Sequence, residues 1–292
     1  MTVLITGAGG QLANALLATD PRRCDVEALD INTLDITDAN AVRRCIQERR
    51  PRVIINTAAW TAVDDAETHP REAEAANTDG PRFLAESAGE VGARLVQIST
   101  DFVFDGTQTT PYKPSDPTNP LSVYGQTKLG GEAAVLGTLG ERALVVRTAW
   151  LYEVNGQNFV NTMLRLMRER GAVNVVNDQT GSPTWARSLA GAIWSMLERE
   201  LAGIHHWTDA GSASWFDFAV AIGELGFELG ALETAPLVTP VGTESFPTPA
   251  TRPVCSVLDK SATWGALEGT PCMPAIDWRA QLANMLKEYK RG

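Results

Sequence analysis

Short, unbroken apolar runs alternate with longer stretches of helical periodicity along the first half of this chain. The runs at 2–6, 26–29, 53–56, 95–99 and 144–147 are rich in Val, Ile and Leu, the pattern of parallel strands covered on both faces. Between them the periodicity predicts helices over 10–18, 39–49, 73–91 and 124–136, the second stopped by Pro51 and the third ending near Gly92. A repeated strand–helix order with right-handed crossovers makes an α/β fold with a doubly wound parallel sheet of the Rossmann type. Such sheets bind their ligands beyond the carboxyl ends of the strands.

After Trp150 the pattern loosens. A helix is expected over 158–170, followed by a Gly/Pro-bearing segment at 180–186 and a tryptophan-rich stretch at 206–218. The segment 233–253 carries Pro236, Pro240, Pro247, Pro249 and Pro253, so it reads as largely irregular, wrapping the surface as a lid or substrate loop. A helix over 277–290, capped by Asp277, closes the chain. The expected organisation is a cofactor-binding domain over 1–150, to which later segments return, and a smaller, interleaved C-terminal substrate-binding lobe over 151–292.

Composition narrows the function. At 292 residues the chain can bury a sizeable core without staples. Its formal net charge of -10 and lack of clustered Lys and Arg argue against nucleic acid as a partner. An anionic small molecule is still within reach where a helix N-terminus and one or two arginines converge. Cys24, Cys45, Cys255 and Cys272 have no CxxC spacing and read as reduced structural residues. The N-terminus enters a strand at once and no run of 18 apolar residues occurs, so no membrane association is expected and the address reads as cytoplasmic. His69, His205 and His206 lack a ligand spacing, and no metal is expected.

The segment Thr6-Gly7-Ala8-Gly9-Gly10-Gln11-Leu12-Ala13 falls between the first strand and the first helix. Glycines there allow a tight turn and close approach of a pyrophosphate, while the helix N-terminus presents N–H groups to the anion. Ala13, at the third small position, still permits close packing of helix on strand. Asp30 follows the second strand, where a carboxylate can accept hydrogen bonds from ribose hydroxyls; its alternative role is that of a strand-end turn residue. An acid at this point leans toward NADH, and Arg22 or Arg23 could admit NADPH. The small residues of Asn56-Thr57-Ala58-Ala59-Trp60 would let backbone pass close to the cofactor, or simply pack tightly. Asn77, a polar residue on an Ala-rich helix, must find partners and is placed near the cofactor.

Tyr124 and Lys128 are spaced i, i+4 at the start of a helix, so they share one face. A phenol that ordinarily titrates near pH ~10 is a poor acid at neutral pH, and a neighbouring ammonium is expected to lower that value. Ser99-Thr100-Asp101 puts hydroxyls at a strand carboxyl end, where Thr100 can donate to a substrate carbonyl and to the oxyanion formed during reduction. The pattern suits hydride transfer from a nicotinamide to a ketone, with Tyr124 delivering the proton and Lys128 holding the nicotinamide ribose. Taken alone, the tyrosine–lysine spacing is more readily explained as an exposed helix face.

The segments LITGAGGQLA, LDITD, NTAAWTAVDDAE, STDFVFDG, YGQTKLGGE, VRTAWLY, DQTGSPTWA, SWFDFA, TRPVCSVLDKS and DWRAQL, in that order, resemble the dTDP-4-dehydrorhamnose reductase family of extended short-chain dehydrogenases. The resemblance implies cofactor contacts at Gly10, Gln11, Leu12, Asp30, Asp35, Ile36, Ala58, Ala59, Trp60 and Lys128, to which the glycine loop and the polar helix position add Gly7 and Asn77. It implies substrate contacts at Thr100, Asp101, Tyr124 and Trp150, with Thr100, Tyr124 and Lys128 catalytic. The implied activity is reduction by NADPH or NADH of the 4-keto group of a nucleotide-linked 6-deoxy sugar, dTDP-4-dehydro-L-rhamnose to dTDP-L-rhamnose. A sister reductase for another dTDP-4-keto deoxysugar shares all these residues. A non-catalytic, NADP-binding regulatory subunit like that of methionine adenosyltransferase keeps the nucleotide fold but need not keep the proton-relay set, all of which is present here. Phe102 stands where the family commonly has a hydroxylated aromatic, and Trp60 at a variable position. Trp185, Trp207 and Trp215 read as lobe core ahead of base-stacking groups. Arg187 and Arg252 are candidates for the substrate diphosphate or else surface arginines. The expected partner is the nucleotide-sugar substrate, and a homodimer is left open.

Overall fold

A computed structural model describes residues 2–21 and 25–289. Arg22, Arg23, Cys24 and Lys290 lie outside the described residues. The five expected strands are β1 (Thr2–Thr6), β2 (Asp25–Leu29), β3 (Val53–Asn56), β4 (Arg94–Thr100) and β5 (Ala143–Thr148). A sixth, β6 (Gly203–His206), comes from the second half of the chain and pairs with β5; the sequence reading did not name it. All pairings in this sheet are parallel, in the order β6-β5-β4-β3-β1-β2. The chain therefore reverses direction across the sheet between β1 and β3, the point at which open α/β sheets form their ligand crevice. Every residue of β3 and β5 is buried, as expected of strands covered on both faces.

The covering helices are α1 (Gln11–Thr19), α2 (Ala39–Arg49), α3 (Gly80–Val91) and α4 (Val123–Leu139). Asp38 caps α2 by accepting from the Asn40 and Ala41 N–H groups, and Arg50 ends it in a left-handed conformation just before Pro51. One expected helix, 73–91, is broken into Pro70–Glu74, a π-turn at Ala75–Asp79, and α3. Pro81 has no N–H to return to the Asn77 carbonyl, so the ladder widens there. That wide turn swings the Asn77 side chain inward, where it is buried.

The longer helices that follow are α5 (Phe159–Arg170), capped by Asn158, α6 (Ala186–Glu198), α7 (Trp215–Glu228), held by a Ser214/Asp217 capping box, and α8 (Trp278–Tyr289). Asp277 accepts from the Arg279 N–H at 2.9 Å, as a cap should. Helix α6 joins α1 over one face of the main sheet, while α5, α7 and α8 share a separate apolar cluster around Phe218 and Leu282. The proline-bearing segment is only partly irregular: Leu237–Val241 pairs in parallel with Ala172–Val176. A two-stranded ribbon has free edges, which is why Pro240 is tolerated in it. Among the described residues, no helix is long and apolar enough to cross a membrane.

Candidate active site

The loop after β1 is built by glycine. Gly7 has φ +80°, and a Cβ on it would lie 2.7 Å from the Ala58 nitrogen, so the β1 and β3 loops meet only because that side chain is missing. Gly9 has φ +84° with open space where its Cβ would be, and Gly10 opens α1 with no side chain capping it. These two observations leave room for a bulky anion at the helix N-terminus, where the first N–H groups of α1 lack a side-chain cap and carry the positive end of the helix dipole. The sequence reading did not single out Gly9, though its left-handed φ is what a Gly-x-Gly-Gly run announces.

The other predicted cofactor residues divide by what their side chains already touch. Leu12 and Ile36 are buried in the core, so only their backbone can meet a ligand. The Gln11 side chain accepts from Asn158 Nδ2 at 2.9 Å, tying the glycine loop to the cap of α5. Asp30 accepts from the Thr33 N–H and hydroxyl through Oδ1, at 2.8 and 2.7 Å, which holds its carboxyl below the usual range. Its Oδ2 has only a 3.5 Å contact with Asn32, so the turn role and a ribose role are compatible. Asp35 likewise accepts from Thr37 through Oδ1. Ala58, Ala59 and Trp60 are half-buried, with the Trp60 indole donating to the Ala62 carbonyl and lying over His69. Asn77 accepts from Trp60 N–H and donates to the Trp60 carbonyl and the Thr127 hydroxyl, so its amide binds the β3 loop to α4.

Thr100 and Tyr124 meet, whereas the Lys128 ammonium turns away to the Ile98 carbonyl. Ser122 caps α4 through the Gly125 N–H. A Cβ on Gly125 would sit 2.3 Å from the Phe102 carbonyl oxygen, so glycine lets the helix end press on the turn that follows β4. Burial pushes the Tyr124 phenol up to about 12, opposed by a hydrogen bond with Thr100 and reinforced by Asp101. This corrects the expectation of a lowered phenol: the Lys128 ammonium turns to the Ile98 carbonyl, 2.6 Å away, and is itself pulled down to about 8 by burial. Asp101 accepts from the Thr100 and Ser256 hydroxyls, and burial raises its carboxyl to about 6.

Trp150 adopts φ +47°, unusual for a residue with a side chain. Its ring stacks on Trp215 at 3.5 Å and 8°, and a Cβ on Gly181 would overlap it at 2.6 Å. Trp185 and Trp207 are buried as expected, whereas Trp215 is half-buried against Trp150. The two arginines proposed for a diphosphate are engaged by protein: Arg252 forms a two-pronged pair with Asp64, and Arg187 pairs with Glu288. The histidines point apart, His205 to Thr263 and His206 to the Asp259 carbonyl.

Two polar sets escaped the sequence reading. Strand register aligns Thr6, Asn56 and Gln97, which form a buried chain of hydrogen bonds at 2.6 and 2.8 Å. Glu132 and Arg147 form a buried ion pair behind Ser99. Neither has a local signal, because the partners are far apart in the chain.

A parallel doubly wound sheet, a glycine loop after its first strand and a tyrosine–lysine helix against its fourth define the extended short-chain dehydrogenase class. Within that class, the chain belongs to the family of the RmlD substrate binding domain, whose match covers residues 1–291. It is 44% identical over 287 residues to a dTDP-4-dehydrorhamnose reductase of Streptomyces griseus, covering 96% of this chain and 91% of the relative. It is 43% identical over 288 residues to a probable dTDP-4,6-dihydroxy-2-methyloxan-3-one 4-ketoreductase of Streptomyces antibioticus, covering 97% and 93%. The crystal structure of dTDP-4-dehydrorhamnose reductase from Bacillus anthracis str. Ames in complex with NADP superposes with a TM-score of 0.91 at 38% identity, covering 98% of this chain and 99% of that one.

Proposed function

We propose that this chain is an NAD(P)H-dependent reductase of the 4-keto group of a dTDP-linked 6-deoxy sugar, converting dTDP-4-dehydro-L-rhamnose to dTDP-L-rhamnose. The observation that carries the reading is the meeting of Tyr124 with Thr100 at the carboxyl end of β4, with Lys128 one helical turn behind. The similarity to a dTDP-4-dehydrorhamnose reductase and to a structure in complex with NADP supports it.

Gly7, Gly9, Gly10 and the opening N–H groups of α1 would hold the cofactor's pyrophosphate, and Asp30 a ribose. NAD(P)H, when bound there, supplies the hydride. Thr100 donates to the sugar carbonyl and to the oxyanion that develops from it. Tyr124, kept protonated by burial, donates its phenol proton to the alkoxide, a stronger base than itself. Lys128 sits four residues on, its ammonium on the Ile98 carbonyl, and would hold the nicotinamide ribose. The Phe102 N–H, donating to the Thr100 oxygen, holds that side chain while its one proton turns from Asp101 to the substrate, and Trp150 walls the sugar side.

The test is loss of NADPH or NADH absorbance with dTDP-4-dehydro-L-rhamnose, beside Tyr124→Phe. We expect turnover in the parent and a loss on the order of 10² to 10⁴ in the variant. No turnover with any dTDP-4-keto sugar rejects the enzyme and leaves the regulatory-subunit reading; faster turnover with another 4-keto sugar selects the sister reductase. The 1–150 and 151–292 division, a cytoplasmic setting and a homodimer complete the proposal, the last checked by light scattering.

A further inference from the structure

Behind the reacting residues lies a charged pair to which the chemistry assigns no task. Arg147 on β5 and Glu132 on α4 are each 2% exposed and meet through two hydrogen bonds, Nε to Oε1 at 2.9 Å and Nη2 to Oε2 at 2.7 Å. Glu132 follows Lys128 by four residues and Tyr124 by eight, so the three share the inner face of α4. Ser99, the residue before Thr100, donates its hydroxyl to the same Glu132 Oε1. Arg147 is held from its far side as well. Its guanidinium lies over the Phe104 ring at 5.1 Å and approaches His206 Nε2 at 3.5 Å. Burial, and then Arg147 itself, pushes that imidazole down to about 3. The neutral ring gives its one N–H to the Asp259 carbonyl, leaving Nε2 to accept from Arg147.

Stability does not explain a pair this deep, since apolar residues of like volume are commonly as good or better. What a two-pronged guanidinium–carboxylate pair does supply is orientation. One carboxylate is thereby tied to β5 through Arg147 and to β4 through Ser99, and it sits on the helix that carries the proton donor. We propose that Glu132, Arg147 and Ser99 are positioning residues that set the rotation and depth of α4 against β4, and so the meeting of Tyr124 with Thr100. The proposal rests on the catalytic reading of those two residues given above.

The full-length chain carrying Glu132→Leu with Arg147→Met removes both charges together, so neither is left buried alone. It should melt at or above the parent temperature and bind NADPH within about threefold, by nicotinamide fluorescence. Its kcat with the dTDP-4-keto sugar should fall about 10- to 100-fold at a KM changed less than about threefold, the signature of misplacement by a fraction of an ångström up to 1 Å. Arg147→Lys, which keeps the charge without the fork, should be slowed likewise. A folded double variant with kcat within twofold of the parent overturns the proposal, as does full activity in Arg147→Lys. Should the double variant not fold, Ser99→Ala decides: a three- to tenfold fall in kcat at unchanged KM and Tm supports the proposal, and an unchanged kcat overturns it. Tyr124→Phe, run alongside, separates the two layers. If it is fully active the catalytic reading itself fails; if it is inactive while the double variant is not, only the positioning role fails.

Discussion

Gly125→Ala tests the close contact on which the site depends. The glycine is the third residue of α4, and a Cβ there would stand 2.3 Å from the Phe102 carbonyl oxygen and 3.0 Å from Pro120 Cβ. A relaxed contact needs about 3.5 Å, so the helix end and the 101–103 turn must part by about 1 Å. Neither neighbour is a flexible side chain that could move aside. The parting displaces Tyr124, one residue before, from Thr100, which leads into that turn. A 1 Å misplacement lowers the rate by roughly 10², and overpacking lowers stability by about 1–3 kcal/mol. In a chain of this size that corresponds to a Tm lower by about 2–10 °C. The assay is loss of NADPH absorbance at saturating substrates, paired with a thermal melt. Gly137→Ala is the control on the same helix, because nothing lies within 4 Å of its Cβ position. It should gain about 0.5–1 kcal/mol with kcat unchanged. A folded Gly125→Ala variant with kcat within twofold of the parent refutes the reasoning.

Three further outcomes follow from the same geometry. Asp30→Ala should raise the KM for NADH by about tenfold and that for NADPH much less, measured side by side, since Oδ2, with only a 3.5 Å contact to Asn32, is the acceptor the proposed reading gives to a ribose. Arg252→Ala releases the 248–252 bend from Asp64, whose carboxyl the guanidinium holds down; both side chains are partly exposed. Steady-state kinetics should show a sugar-nucleotide KM raised about three- to tenfold, while the melt reports a stability loss of about 1 kcal/mol or less. Asp209, fully buried, is pushed up to about 7 by burial, so the folded protein holds a proton there that the unfolded chain has lost above its ordinary value. Its contribution to stability is fully present below pH 3.8 and is lost as the pH rises through about 7. Melts from pH 5 to 8 should show Asp209→Asn gaining on the parent as pH rises, by about 3 kcal/mol at most over that range, and parallel curves would refute the buried titration.

Five of the six sheet strands and the helices that cover them are local statements, readable because each strand is an apolar run and each helix repeats with its own period. The same holds for the glycine loop, Asp30 and the Tyr124–Lys128 face, where spacing alone puts the groups on one turn or one side. Strand β6 was missed because its four residues, GIHH, are half polar and take their place only by pairing with β5. The break at Ala75–Asp79 was missed because an Ala-rich stretch reads as continuous helix, although Pro81, which lacks the N–H for the Asn77 carbonyl, was a local signal for it. Tertiary contact alone decided the direction of the Tyr124 shift. Spacing promised an ammonium beside the phenol, but burial governs both groups and turns Lys128 to the Ile98 carbonyl. Register likewise joined Thr6 to Gln97, and packing joined Glu132 to Arg147, residues between which the chain carries no local signal. Periodicity and spacing act over a few residues and so survive in a one-dimensional reading. Which polar groups must satisfy one another in the interior depends on which distant segments are brought within about 3 Å, and only the folded structure settles that.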